Sequence, residues 1–302
     1  VKILLGNAMN ILIAIGGKEY SKPTLDLGMK IANSFEATTT IAYVGKKISQ
    51  FSEKDVSVVH QNLDDRELYR PGVRTLEWAY DFLESKNYIK KKDSSVNFND
   101  NLIIDEENSR MRVLLKGSYS NKIDLILRTG EIIDQLRSEV ESNSHDITII
   151  GGGGNKGMHH KLVQFIDSSV MVVKNYSVNK KYKILLPVNN SLGSNKAIEI
   201  AQQFAKSKKM AVEIITVLEN KSSDEELKSI LKKTEKKFTN AGIKNTASIL
   251  EGDPVQSVVK YAKDDCLVML GVSPKNPILK YFFGSKPISI AQQCNCPVLI
   301  AK

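Results

Sequence analysis

The chain has 302 residues, 43 lysines plus arginines against 34 aspartates plus glutamates, a formal net charge of +9 and three cysteines. That length suits two domains of about 150 residues, each able to bury a core, and 41% hydrophobic with 25% charged residues excludes wholesale disorder, collagen and coiled coil. No apolar run reaches the roughly 18 residues of a membrane span. Residues 1–8, ahead of Met9, are set aside; the opening lacks signal-peptide order and cysteines are few, so the cytoplasm is the expected location and no disulfide framework is expected.

In chain order, NILIAIGG (10–17) reads as a buried strand and tight turn, LDLGMKIANSF as a helix, and Ile41–Val44 as a second strand. LEWAYDFL places Trp78 on a helix with Leu76, Ala79 and Phe82, most simply as a core residue. Around residues 90–120 a lysine run, NFNDN and LIIDEENSRMRVLL suggest a loop and a hairpin. Thr129-Gly130-Glu131 opens the helix IIDQLRSEV, Ile147–Ile150 is a strand that ends in glycines, and Val170–Val173 is the last strand.

The pattern then starts again. KILLPVNN (183–190) lies 173 positions after NILIAIGG, IEIAQQFAKSK matches LDLGMKIANSF, and Ile214–Val217 matches Ile41–Val44 at the same offset. Glu251-Gly252-Asp253 opens PVQSVVKYA at an offset of 122, with Pro254 in the first helical turn. Leu267–Leu270 follows at 120 and Val298–Ala301 at 128. Two copies of one unit are implied, residues 9–178 and 179–302, the first with 51 extra residues ahead of Gly130. Continuous rather than alternating apolar runs indicate strands covered on both faces. The fold class is therefore α/β, two doubly wound five-stranded parallel-sheet domains in tandem.

The charge divides unevenly between the copies. The first carries 23 basic and 23 acidic residues, the second 20 and 11, and every arginine is in the first. The excess is lysine alone. Arginine is the usual bidentate reader of guanine, so scattered lysine argues for a solvated helix face and against specific nucleic-acid binding.

One loop carries chemistry. After the strand CLVML come Gly271, two residues, Pro274, nine residues, Gly284 and Ser285. Ligands of open parallel sheets sit beyond the carboxyl ends of the strands. Gly284 lets a phosphate approach the backbone, Ser285 caps the next helix, Lys286 adds a point charge, and the free amides of that helix start favour an anion.

With its first-strand ending Pro187-Val188-Asn189-Asn190-Ser191 and its closing GSKPISIAQQCNCPVLIAK, the chain resembles a tandem universal stress protein, whose domains are Rossmann-like and similar to the adenine nucleotide alpha hydrolases. Nucleotide-binding members have glycine at the position of Pro274 and aspartate at that of Asn189. The resemblance implies an adenine nucleotide, ATP or AMP with magnesium as an optional companion. Its adenine would lie against Val188 and Val217 with Leu270 nearby, Asn189 would meet adenosine, and Gly271, Gly284, Ser285 and Lys286 would surround ribose and phosphates. It also implies that strands 170–173 and 298–301 pair as a pseudo-dimer, with a homodimer as an open alternative.

The first copy has Gly16, Gly17 and Lys18 at the corresponding strand end. Its run Gly151–Gly154, followed by His159, His160 and Lys161, reads as a tight connection rather than a phosphate cradle. All four histidines fall in the first copy and all three cysteines in the second. Neither copy holds a mixed metal set, and Cys294 and Cys296 read as core or helix-end residues. Carboxylate pairs Asp64-Asp65, Glu106-Glu107 and Asp264-Asp265 read as solvated, and no P-loop or nucleophile elbow is present. The expectation is a regulatory nucleotide-binding protein without catalytic residues. The alternative is a nucleotide-free scaffold assembled through its terminal strands.

Overall fold

The computed structural model describes residues 9–45, 72–91, 98, 101–107, 110–115, 118–119, 122–153, 156–219, 224–272 and 286–302. The first half runs β1 (Asn10–Ile15), α1 (Lys18–Ser34), β2 (Thr38–Gly45), α2 (Val73–Ser85), β3 (Lys90–Lys91), β4 (Leu102–Glu106), β5 (Arg110–Leu114), β6 (Ser118–Tyr119), β7 (Ile123–Thr129), α3 (Ile132–Asn143), β8 (Ile147–Gly151), α4 (Lys156–Phe165) and β9 (Ser169–Val173). The second runs β10 (Lys183–Pro187), α5 (Leu192–Lys208), β11 (Val212–Leu218), α6 (Glu225–Asn240), β12 (Asn245–Glu251), α7 (Pro254–Tyr261), β13 (Cys266–Gly271), α8 (Lys286–Gln293) and β14 (Val298–Ala301).

Among the described residues these strands form a twelve-stranded sheet, ordered β12-β11-β10-β13-β14-β9-β8-β1-β2-β7-β5-β4, and a small sheet of β3 and β6. Each half contributes five parallel strands in the same relative order, which is the doubly wound pattern expected. Ile11, Leu12 and Ile13 are all fully buried. Ile11 and Ile13 join the core beneath α1, while Leu12 joins the core on the opposite face. A strand with helices on both sides has no polar face to offer, hence the continuous apolar runs. At roughly 1.5–3 kcal/mol per buried aliphatic side chain, such runs dominate the stabilisation of each half.

The offsets hold in three dimensions. Gly130 N donates to Gly45 O and Gly252 N to Leu218 O, so the same turn leads into α3 and α7. Both glycines have positive φ, +143° and +119°, which L side chains rarely adopt. Asp253 caps α7 through Gln256 N, and Pro254 occupies the first turn as expected.

The hairpin expected in LIIDEENSRMRVLL is present: β4 pairs antiparallel with β5, which pairs antiparallel with β7 and so lies outside the parallel strands. The excess length of the first half is not confined to the region around 90–120. Helix α2 lies between β2 and β7 as α6 lies between β11 and β12, so the extra residues divide between 46–72 before α2 and 86–122 after it. Trp78 packs half-buried against the core, 6.1 Å from the Phe82 ring.

The halves meet along β9 and β14, which pair antiparallel with Val172 opposite Val298. Helices α1 and α5 pack on one face of this seam and α4 and α8 on the other. On the α1 side, Gln203 Nε2 donates to Ser34 O at 3.0 Å. Nearby, Tyr176 OH donates to Asp26 Oδ2 at 3.1 Å and accepts from Lys30 Nζ at 2.9 Å. Among the described residues, no helix is long and apolar enough to cross a membrane.

Candidate functional site

In the second half the chain leaves β10 toward β11 on one side, while β13 lies on the other. This reversal opens a crevice at the carboxyl ends of β10 and β13, the usual place for a ligand in such sheets. The end of β10 is pinned: Val188 N donates to Ile215 O at 2.8 Å, and Thr216 Oγ1 donates to Val188 O at 3.1 Å. The turn beyond is closed by its own polar groups. Asn189 N donates to Ser194 Oγ at 3.0 Å, Asn189 Oδ1 accepts from Ser191 N at 3.0 Å, and Ser191 Oγ accepts from Ser194 N at 3.1 Å. Ser191 is thus the N-cap of α5.

Two glycines hold this turn against β13. A Cβ on Gly271 would fall 2.0 Å from Gly193 C, and one on Gly193 would fall 2.3 Å from Val272 O. With no side chains between them, the first turn of α5 lies directly on the end of β13. That turn carries no acidic residue, so the positive end of the helix dipole is uncompensated from within the helix and favours an anion or a hydrogen-bond acceptor. Leu192 extends apolar surface into solvent beside it, 74% exposed.

The crevice brings together Asn189, Ser191 and Gly271. Pro187 and Val217 border it half-buried, and Leu270 is buried. Val188 belongs to the core beneath α5, whereas Val217 and Leu270 border the core on the opposite face, so the valines expected to share one adenine stand on different faces. Asn189 is exposed, with Oδ1 committed to Ser191 and Nδ2 as its remaining donor. Pro274, Gly284 and Ser285 lie outside the described residues. Lys286 begins α8, exposed, and pairs with the Glu219 carboxylate just beyond β11.

Gly193, Ser194 and Thr216 were not singled out from the sequence. A signal existed for Ser194, which matches Ser21 at the 173 offset. The bond repeats too: Gly16 N donates to Ser21 Oγ at 2.8 Å, as Asn189 N does to Ser194 Oγ. The first-half turn otherwise lacks the equipment, because Lys18 replaces Ser191 and Gly17 gives α1 no side-chain cap. The side chains of His159 and His160, and Gly154, lie outside the described residues, as do Asp64 and Asp65.

All three cysteines are buried. Burial pushes the Cys266 thiol up to about 11, which keeps it protonated at neutral pH. Cys296 occupies the position of Ser168 at the 128 offset, in the core as expected. Asp264 and Asp265 pair with Lys180 and Lys183. Glu106 departs from its solvated reading, since it pairs with Arg110 and Arg112. Among the described residues no group of three or more histidines, cysteines and carboxylates gathers to hold a metal.

Fold and site define a doubly wound α/β protein with a switch-point crevice at a capped helix start in its second half. Within it, residues 182–302 match the universal stress protein family. A universal stress protein of Methanocaldococcus jannaschii is 31% identical over 80 residues, 26% of this chain and 47% of that protein, so the chain spans about half the length of the curated relative it matches. Two solved structures share the fold across both halves. A functionally unknown protein of Pseudomonas aeruginosa has 13% identity and a TM-score of 0.64 over 98% of this chain and 92% of its own. A universal stress protein of Archaeoglobus fulgidus has 13% identity and a TM-score of 0.62 over 97% and 96%.

Proposed function

We propose that the chain is a tandem universal stress protein whose second domain, residues 179–302, binds ATP or another adenine nucleotide, while residues 9–178 form a partner domain with an interaction insertion. It acts as a regulatory protein, and the two domains make a pseudo-dimer through β9 and β14. The observation that carries this reading is the switch-point crevice. It lies in the segment that matches the family, and there the uncompensated start of α5 meets the glycine end of β13. Backbone amides and the Asn189 amide supply hydrogen bonds to base or ribose, and the half-buried Val217, with Leu270 beneath in the core, supplies apolar surface. The phosphates would fall to the motif Gly284-Ser285-Lys286, and magnesium, where ATP is the ligand, would supply positive charge to them.

Protein purified without added ligand is expected to release an adenine nucleotide on denaturation and to bind ATP in calorimetry. Gly284→Trp is expected to abolish that binding. Wild-type protein that gives no heat with ATP and no released nucleotide overturns the reading.

A second reading has observations of its own. Asn189 Oδ1 is engaged by Ser191, Lys286 by Glu219, and Pro274 offers no amide. These favour a nucleotide-free scaffold assembled through the terminal strands, and the same titration separates the two.

A further inference from the structure

At the seam, each half closes the last helix of the other. Lys174 follows β9 in the first half. Its Nζ donates to the carbonyls of Ala291 at 2.6 Å, Gln292 at 2.9 Å and Cys294 at 3.4 Å, the C-terminal end of α8 in the second half. Lys302 follows β14, and its Nζ donates to the carbonyls of Val163 and Ile166 at the end of α4 in the first half. The two lysines are 128 positions apart, the offset that relates β9 to β14. Each ammonium meets carbonyls that the helix leaves unpaired and sits at the negative end of its dipole. Asn175 Nδ2 adds a bond to Asn295 O at 3.0 Å beside Lys174.

The path of Lys174 also explains part of the glycine run in the first half. A Cβ on Gly152 would fall 2.2 Å from Lys174 Cγ and 2.8 Å from Val173 O. Gly152 therefore leaves the space through which the lysine stem crosses the seam. The corresponding residue in the second half is Val272.

Helix α8 is consequently held at both ends by lysines. Lys286 ties its first turn to Glu219, and Lys174 ties its last turn to the other half. We propose that Lys174, threaded past Gly152, is a positioning residue that the first half supplies to α8, fixing the helix that follows the Gly284-Ser285 motif. The ligand arm of this proposal rests on the nucleotide reading above; the clamp itself does not.

The test combines hydrogen exchange with ATP calorimetry on the full chain. In Lys174→Met the α8 amides are expected to exchange about tenfold faster while α4 amides keep their rates, and ATP affinity to fall about tenfold, as losing charge-assisted bonds at one helix end implies. Lys174→Arg, which keeps the stem and the donors, restores both. Lys302→Met gives the converse, faster exchange in α4 with α8 and ATP affinity unchanged. Gly152→Ala displaces the stem without removing the ammonium and speeds α8 exchange as well. Unchanged α8 exchange in Lys174→Met overturns the proposal, and so does equal acceleration throughout both halves. Faster α8 exchange with unaltered ATP affinity overturns the positioning role. If wild-type protein gives no heat with ATP, the nucleotide reading fails by itself, and α8 exchange in Lys174→Met still decides whether the clamp exists.

Discussion

The two halves finish their sheets in different ways. In the second, β12 is the last strand among the described residues, and Ile249 on it is 43% exposed. In the first, the hairpin covers β7, and beneath it lies a charged network with fully buried members. Arg128 donates to Glu139 Oε2 from Nε at 2.7 Å and from Nη2 at 2.6 Å, and from Nη1 to Gln135 at 3.1 Å. Arg110, on the hairpin, donates to both oxygens of the same carboxylate, at 3.1 and 3.3 Å, and Asn143 adds a bond at 2.9 Å. Burial opposes the Arg110 charge, but Glu139 and Glu106 outweigh it and raise its pKa. At the 122 offset, Arg128 and Glu139 correspond to Leu250 and Tyr261. A buried guanidinium is tolerable only where every donor is answered. The half with an inserted strand can answer it, and the half with an open edge stays apolar at the same positions.

The largest expected effect tests that dependence. Glu139→Ala leaves Arg128 buried without its carboxylate and should cost about 3–5 kcal/mol in urea unfolding of the first half. A loss below about 1 kcal/mol would break the comparison. Next comes the close approach found in the second half alone, since position 20, the counterpart of Gly193, is tyrosine. Gly193→Ala should cost about 1–3 kcal/mol, because the methyl group meets backbone that cannot step aside. A near-neutral result in thermal unfolding would show that the helix can lift off β13.

The smallest effect concerns pH. Burial lowers the pKa of His145 below its ordinary 6.5, against the opposing pull of Glu139. Its ring nitrogens sit 3.2 Å from Glu139 O and 3.1 Å from Thr40 Oγ1. The unfolded chain takes up the proton more readily than the folded one. The stability from a neutral His145 is therefore present above pH 6.5 and lost as pH falls through 6.5 toward its folded-state value. The counterpart in the second half is Asp265, so His145 weakens the first half alone. Urea midpoints at pH 7.5 and 5.5 should differ more in wild type than in His145→Gln; equal differences would remove His145 from the account.

What could be read from the sequence was whatever repeats. The offsets of 173, 120 and 128 locate eight of the ten parallel strands, because strands buried on both faces leave continuous apolar runs, and the offset of 122 locates the glycine turns at which β7 and β12 end. The hairpin was visible in LIIDEENSRMRVLL as two apolar ends on either side of a polar middle. The pairing of Arg128 with Glu139 was not, since their meeting depends on how α3 lies over β7. The contact between Gly193 and Gly271 joins residues 78 positions apart and leaves no local pattern beyond a glycine at a helix start. In the crevice, Asn189 and Ser191 were legible as a strand ending, but not that they would bond to each other. Nor could spacing show that Val188 and Val217 face opposite cores, which follows from the register of two strands. The +9 was a poor guide beside these, for the lysine with the most specific geometry, Lys174, belongs to the half with no excess charge.

Because β9 and β14 run in opposite directions, the parallel strands of the two halves point their carboxyl ends toward opposite rims of the sheet. The crevice at β10 and β13 and the corresponding turn at β1 and β8 therefore open like doors at the two ends of a corridor. A molecule the size of a nucleotide entering one door cannot touch the other, and a protein partner that reads both must reach around the whole sheet. Any message between the doors has to travel through the wall itself, along two short strands, the helices packed over them and the polar groups, the pair of lysines among them, that cross from one half to the other.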